Sequence, residues 1–502
     1  MRVGVPAMAL AMTISACGTT VPGARASSTV SSNGELSAGG ELGSSSTGTG
    51  TGPTGTGPTG IAPTGSSAEG GQSSASGQPG TAQANPVGSA TGGALGATLT
   101  RPITTPIEVG ILGPTSPAAA AAAIGGTAPS LSPQDELTYF VNYLNAQGGI
   151  DGRHISAVED FFNPESVDYE SEVQAACADF TQDHHVAVTI SFLTNYYSES
   201  YETCLADAHV PDIELLSGGT DASDLAKYPM MISPIAPSVN QRYGALIRGL
   251  DRSGFLSRQT KIGVVVEDCP YNERAYTATL APLFAQDGLS VDRRDVDCFT
   301  GFADTGAFIG QVGAEVLPFE TAGVDRVMFV SGFEGVAAFA FQNQAATQDY
   351  TPSYALTSTA SPGVNGMEFS AAAESRVEGV GWEPDFDVTA TTESSAATRR
   401  CRAMWAGDGG VSRSADWSDD VICDSFFVLA AALAKSGGQS APEALMSAFD
   451  GLGGSYQSPV SIEGATSYSA DHREGPTLFA TVGYKASCAC FVYTSSPSPL
   501  GG

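Results

Sequence analysis

Nine cysteines, five histidines and 53 acidic residues are the groups through which this 502-residue chain could do chemistry. Eight of the cysteines lie beyond residue 170: Cys177, Cys204, Cys269, Cys298, Cys401, Cys423, Cys488 and Cys490. An even set in an exported chain favours disulfides over metal or nucleophile roles. Spacing alone allows many connectivities, and the local clustering predicts sequential pairs: Cys177–Cys204, Cys269–Cys298, Cys401–Cys423 and the tight ring Cys488–Cys490. A zinc site is not expected, because no second Cys pair or His pair stands at ligand spacing. His184-His185 reads as a surface turn before a strand. The chain has no Gly-x-Ser-x-Gly elbow, no His-Glu-x-x-His and no nucleophile with a local base. The adjacent acids Asp419-Asp420 read as solvated charges at a helix start. An enzyme is therefore not expected, nor a cofactor or a bound metal.

The ninth cysteine, Cys17, belongs to a different chemistry. Arg2 supplies a positive start, and Val3 to Ile14 is an apolar run too short to span a bilayer. It ends in Ile14-Ser15-Ala16-Cys17, which resembles the lipobox of bacterial lipoproteins. That resemblance makes residues 1–17 a signal segment and Cys17 the lipidated residue, and it places the protein outside the cell, on the outer face of the membrane. One acyl chain binds a membrane marginally, so the multiple acylation of such lipoproteins is what would make the anchor stable. Residues 18–103 are Gly, Ser, Thr, Ala and Pro with five charges: Arg25, Glu35, Glu41, Glu69 and Arg101. Such a stretch cannot bury enough apolar surface to offset chain entropy and is expected to be a disordered tether. As a flexible coil it would span about 50 Å. The whole net charge of −31 therefore sits in residues 104–502. It repels phosphate backbones and disfavours nucleic-acid binding.

Across residues 104–500, short apolar runs alternate with amphipathic stretches. Strands are predicted at Ile107–Leu112, His154–Glu159, Val186–Phe192, Ile213–Ser217, Lys261–Glu267, Ser290–Val296, Asp325–Val330 and Ser353–Leu356. Helices are predicted at Pro133–Gln147, with Ser132 as N-cap, and at Ser166–Thr181, Ser198–Ala208, Asn272–Gln286, Thr305–Leu317 and Val336–Thr347. The run Phe426–Ala434 has the length of a core helix. Alternating strands and helices argue for parallel sheets covered on both faces. About 400 residues exceed one core. The fold class is thus α/β, with two Rossmann-like lobes whose strand ends face a common cleft.

Leu144-Asn145-Ala146-Gln147-Gly148-Gly149-Ile150-Asp151-Gly152-Arg153 resembles the "N-x-x-G-G-I-x-G-R/K" turn of the type I periplasmic binding proteins, the leucine/isoleucine/valine-binding family of ABC transporters. It follows the first helix, after the strand-end loop Gly113-Pro114-Thr115. Ser217-Gly218-Gly219-Thr220 resembles the end of a first-lobe strand. Val264 to Tyr271 resembles the family's strand, short loop and helix start. Val377 to Trp382 resembles the return strand in the first lobe. The resemblance implies three crossovers, with the first lobe as about 104–235 and 357–455 and the second as about 236–356 and 456–500.

In that family, hydroxyls and backbone N–H groups at first-lobe strand ends take the ligand carboxylate. By position this implies Thr194, Asn195, Tyr196, Gly219, Thr220 and Asp221, although Asp221 could instead cap the following helix. From the second lobe the resemblance implies Tyr271 as an aromatic wall, with a core tyrosine as the plainer reading, and Phe333 as a second aromatic. The carboxylate that amino-acid binders use for the ligand ammonium falls near Thr359. Glu334 could substitute, and a surface helix start explains it equally well. A branched-chain amino-acid binder in the strict sense is therefore not expected. The implied function is a monomeric solute-binding lipoprotein that captures a small polar solute and delivers it to an ABC permease. The alternative is a lipid-anchored sensor of the same fold without a transporter, which adjacent permease and ATPase genes would exclude.

Overall fold

A computed structural model describes residues 105–115, 132–193, 198–215, 219–365, 369–389, 395–406 and 417–501. Cys17, the tether and the site candidates Thr194, Asn195 and Tyr196 lie outside the described residues. Thirteen strands are named in chain order: β1 (Ile107–Pro114), β2 (Ile155–Phe162), β3 (Val188–Phe192), β4 (Asp212–Leu215), β5 (Met231–Ile232), β6 (Lys261–Glu267), β7 (Ser290–Val296), β8 (Arg326–Val330), β9 (Ser353–Thr357), β10 (Val377–Gly381), β11 (Leu478–Lys485), β12 (Cys490–Tyr493) and β13 (Ser498–Pro499). They form two sheets. The first runs β2-β1-β3-β4-β5 and is parallel throughout. The second runs β12-β11-β10-β9-β8-β6-β7, with β13 beside β11.

Helices cover these sheets because the strands are buried on both faces, as in β3 (VTISF), where Thr189 and Ser191 are buried as hydrogen-bond donors to Asp212 opposite Val188, Ile190 and Phe192. The helix Pro133–Ala146 begins where Ser132 Oγ accepts the Asp135 N–H at 3.1 Å. Its exit is the Gly-Gly turn. Gly148 and Gly149 have φ of 99° and 77°, and a Cβ on Gly149 would meet the Arg153 carbonyl oxygen at 1.8 Å. Asn145 closes the turn by bonding both the N–H (2.7 Å) and the carbonyl (2.9 Å) of Ile155. The buried Arg153 guanidinium reaches the carbonyls of Thr105, Pro106 and Gly438. The motif is thus a structural clasp that pins the chain before β1 and the end of the helix Trp417–Lys435.

Three segments cross between the sheets. Residues 233–238 lead from β5 into the helix Val239–Ser253, and residues 472–477 run beside them, with Ser233 N–H on the Arg473 carbonyl and Gly475 N–H on the Ser233 carbonyl. Glu474, buried, accepts from Ser238 N–H (2.9 Å) and Gln241 Nε2 (2.6 Å) and joins these two crossovers. The third crossing follows β10, where Ile462 N–H meets the Trp382 carbonyl.

Several expectations are corrected. The strand Val377–Gly381 pairs in parallel with β9 and lies in the second sheet, so the chain leaves the second lobe after β10 and not at residue 357. The second sheet also gains antiparallel strands: β11 on β10 and β12 on β11. The helix Val239–Ser253 lies where no helix is expected. The expected helix Asn272–Gln286 is split by a π turn at Tyr276–Leu280, two residues before Pro282, which has no N–H for the helical ladder. Asp419 and Asp420 are buried, not solvated. Asp420 shares Arg402 with Asp385, and burial together with that neighbouring carboxylate pushes it up to about 9.

The structure joins Cys177 to Cys204, Cys269 to Cys298, Cys401 to Cys423 and Cys488 to Cys490. Among the described residues no helix is long and apolar enough to cross a membrane. Phe426–Ala434 lies in the helix Trp417–Lys435, almost all of it in the first core cluster.

Candidate functional site

The segments that follow the carboxyl ends of β4 in the first sheet and β6 in the second meet, where Arg274 bonds Asp221 and Asp224. Ligands of open parallel sheets bind at such ends, because the loops there are free of ladder bonds and helices begin there. One contiguous apolar cluster includes Leu112, Phe162 and Leu193 of the first lobe and Phe299, Phe308 and Phe333 of the second.

On the first-lobe side, Gly219, Thr220 and Asp221 are all buried. The Thr220 carbonyl accepts the Val239 N–H at 2.9 Å, which ties this loop to the start of the crossover helix. Asp221 is the N-cap of the helix Ala222–Lys227, accepting from the N–H groups of Ser223 (2.8 Å) and Asp224 (2.9 Å). The capping alternative therefore describes it, with one addition. Its second oxygen accepts from Arg274 Nε at 2.6 Å, and Arg274 Nη2 also reaches both oxygens of Asp224, at 2.7 and 2.8 Å. Arg274 stands on the second-lobe helix Pro270–Ala275, so this ion pair links the lobes directly. Burial and the neighbouring Asp221 push Asp224 up to about 6 in spite of the guanidinium.

On the second-lobe side, Tyr271 opens the same helix beyond β6 and packs in the cluster of Val264, Val266 and Leu280. Its hydroxyl feels Glu267 and Arg242 of its own lobe and Asp224 of the other, while burial holds it well above the usual phenol range. It is packed as a core tyrosine. Phe333 immediately precedes the helix Glu334–Thr347 and packs on Phe299, with ring centroids 4.3 Å apart. Thr359 follows β9 and accepts from Arg242 Nη1 at 2.7 Å. Arg242, fully buried in the first turn of the helix Val239–Ser253, was not expected from sequence.

Glu334 is not a surface helix start. It is 0 % exposed, accepts the Thr357 N–H at 3.0 Å and the Thr357 hydroxyl, and lies in the field of Arg242. Burial pushes it up to about 7. Glu267, at the end of β6, accepts the N–H groups of Phe299 (2.6 Å) and Gly332 (3.0 Å), and burial likewise pushes it up to about 7. Glu267 also lies within 4.8 Å of the Cys269 and Cys298 sulfurs. Those sulfurs are bonded to each other, so the group offers a cation one carboxylate and no thiolate.

No protein-family model matches the chain, and no curated protein matches it. Solved structures do. A solute-binding protein of an ABC transporter from R. palustris, in complex with 4-hydroxybenzoate, matches with a TM-score of 0.57 at 14% identity, over 78% of this chain and 96% of that one. A branched-chain amino acid ABC transporter protein from Thermus thermophilus with bound valine matches at 0.58 and 13% identity, over 79% of this chain and 97% of that one. An ABC transporter substrate-binding protein from Desulfitobacterium hafniense in complex with Leu matches at 0.52 and 15% identity, over 77% and 99%. The chain has the type I periplasmic binding-protein fold. Three crossovers and two facing sets of strand ends are the features of this fold that build a gap between lobes. In the present chain an ion pair of Arg274 with Asp221 and Asp224 joins the two lobes. The carboxyl groups of Glu267 and Glu334 are already bonded within the second lobe.

Residues that sequence reading missed share a property. Arg242, Arg274 and Glu267 are ordinary charged residues in amphipathic or strand-end positions, and nothing in their spacing marks them. A periodic apolar face around Arg242 (Val239, Tyr243, Leu246, Ile247, Leu250) was the one available signal.

Proposed function

We propose that this protein is an extracytoplasmic, non-catalytic solute-binding protein. It captures a small polar solute between its lobes and delivers it to an ABC importer from a lipid anchor at Cys17. The reading rests chiefly on the two-lobed fold, in which Arg274 beyond β6 bonds Asp221 beyond β4. In this fold, a cleft between the lobes closes by rigid-body motion about the crossovers. The chains it resembles carry bound 4-hydroxybenzoate, valine or Leu in their structures. Gly219, Thr220 and Tyr271 are the described residues that would line the solute site, together with the segment 194–196.

Two measurements test the reading. Native mass spectrometry of the full chain purified from its own host should reveal a co-purifying small molecule. Returning that molecule at 100 times its dissociation constant should add about 2.7 kcal/mol of stability. A protein that carries no small molecule and whose melting point no solute raises is not a binding protein. For the anchor, Cys17→Ala should abolish incorporation of labelled palmitate and release the protein from the membrane fraction. Continued membrane retention would remove the lipoprotein assignment.

A further inference from the structure

The first turn of the helix Pro270–Ala275 contains a side chain whose hydrogen-bonding capacity the protein does not use. Asn272 is 0 % exposed, and neither its Oδ1 nor its Nδ2 has a hydrogen-bond partner. A carboxamide offers two donors and an acceptor oxygen. Leaving all of them unmade in an interior is costly, so buried polar groups are nearly always paired. Its neighbours in the chain are committed. Glu273 pairs with Arg293 on the outer side, and Arg274 crosses to Asp221 and Asp224 of the first lobe. The turn therefore stands at the carboxyl end of β6 and already touches the opposite lobe, where this architecture places ligands.

The charges around that turn decide what could meet Asn272. Glu334 is bonded to Thr357 twice, and Glu267 to two backbone N–H groups. Arg242 donates to Thr359 beside them. An ammonium group brought here would find its carboxylates already engaged by donors of the same lobe, and burying it without a counter-charge is unfavourable. A hydroxyl or carboxamide both donates and accepts, and so matches a carboxamide without bringing charge.

We propose that Asn272 is the specificity-determining contact of the second lobe, binding an uncharged hydroxyl or carboxamide of the solute. This rests on the solute-binding reading and deepens it: the solute is a polar molecule with no ammonium at its second-lobe end. The known ligand chemistry of 4-hydroxybenzoate, with a carboxylate at one end and a hydroxyl at the other, has this form.

The test compares the full chain with Asn272→Leu, which keeps the volume and removes the polar atoms. Without ligand, Asn272→Leu should melt a few degrees higher, as expected when an unpaired buried amide is replaced by a hydrocarbon. A residue needed for the fold would give a lower melting point, and that result overturns the proposal. Calorimetric titration then uses 4-hydroxybenzoate, benzoate and L-leucine as probes. The wild type should bind 4-hydroxybenzoate about tenfold more tightly than benzoate, the weight of one hydrogen bond, and Asn272→Leu should bind the two alike. Discrimination that survives in Asn272→Leu overturns the role of Asn272, as does L-leucine binding more tightly than 4-hydroxybenzoate. If the wild type binds none of the three, the assigned solute class fails. A solute that still co-purifies from the host would then leave the binding function itself standing.

Discussion

In the first lobe, the acidic groups at the gap, Asp221 and Asp224, are held by a cation from the opposite lobe. In the second, Glu267 and Glu334 are held by N–H and hydroxyl donors of their own lobe. The first arrangement exists only while the lobes are together. The second is complete in either lobe position. The contrast teaches that charge near a cleft need not be ligand-binding charge. Asp221 and Asp224 cap a helix and pair with Arg274 of the other lobe, whereas Glu267 and Glu334 brace the strand ends from within.

The sharpest way to break this comparison is Glu334→Ala. It leaves the Thr357 N–H and hydroxyl buried without a partner and opens a cavity, so urea unfolding should show a loss of about 3 kcal/mol. A loss within error would mean that Glu334 does not brace β9. Arg274→Ala should cost less, about 2 kcal/mol, because one end of that pair is open to solvent while both acids are buried. It should also widen the interlobe distance in small-angle scattering, which Glu334→Ala should not. Equal radii of gyration for wild type and Arg274→Ala would end the view of this pair as an interlobe tie.

The two sides should also differ in pH response. Burial raises Glu267 and Glu334 to about 7. A carboxyl whose folded-state pKa is raised contributes stability that is fully present below its unfolded pKa and is lost as pH rises through the folded value. Melting temperature should therefore fall between about pH 5 and pH 8, and Glu267→Gln with Glu334→Gln should flatten that fall. Asp224, raised to about 6, titrates in a lower window, so Asp224→Asn should flatten the curve mainly below pH 6.5, roughly half a unit past that value. The smallest effect is expected at Lys227–Glu199, an ion pair exposed on both sides. Lys227→Ala should leave the melting temperature unchanged within error.

Much of the fold was legible because local signals coincided with tertiary demand. β6 and β7 have the bounds that their residue types suggest, and Ser132 caps the helix it precedes. The Gly-Gly turn was legible because only glycine adopts its backbone angles without strain. By contrast, β10 was assigned to the wrong lobe. A strand of buried residues reads the same in either sheet, and only its pairing with β9 and β11 decides. Of the candidate site, Tyr271 and Phe333 pack in two core clusters, Asp221 caps a helix and pairs with Arg274 of the other lobe, and Thr359 accepts from Arg242. Thr194, Asn195 and Tyr196 lie outside the described residues.

By itself the sequence determined the alternation of strands and helices, the clasp at Gly148-Gly149 and the chemical setting of Cys17, because each depends on a few adjacent residues. Only the tertiary structure decided which charges are already spoken for. Asp221 is separated from Arg274, and Glu334 from Thr357, by stretches of chain that no local pattern connects. Whether a carboxylate greets a ligand or a neighbour depends on which side chain folding brings within about 3 Å of it. For the same reason Asn272, an unremarked residue in the sequence, became conspicuous only when every other polar group of its turn had found a partner.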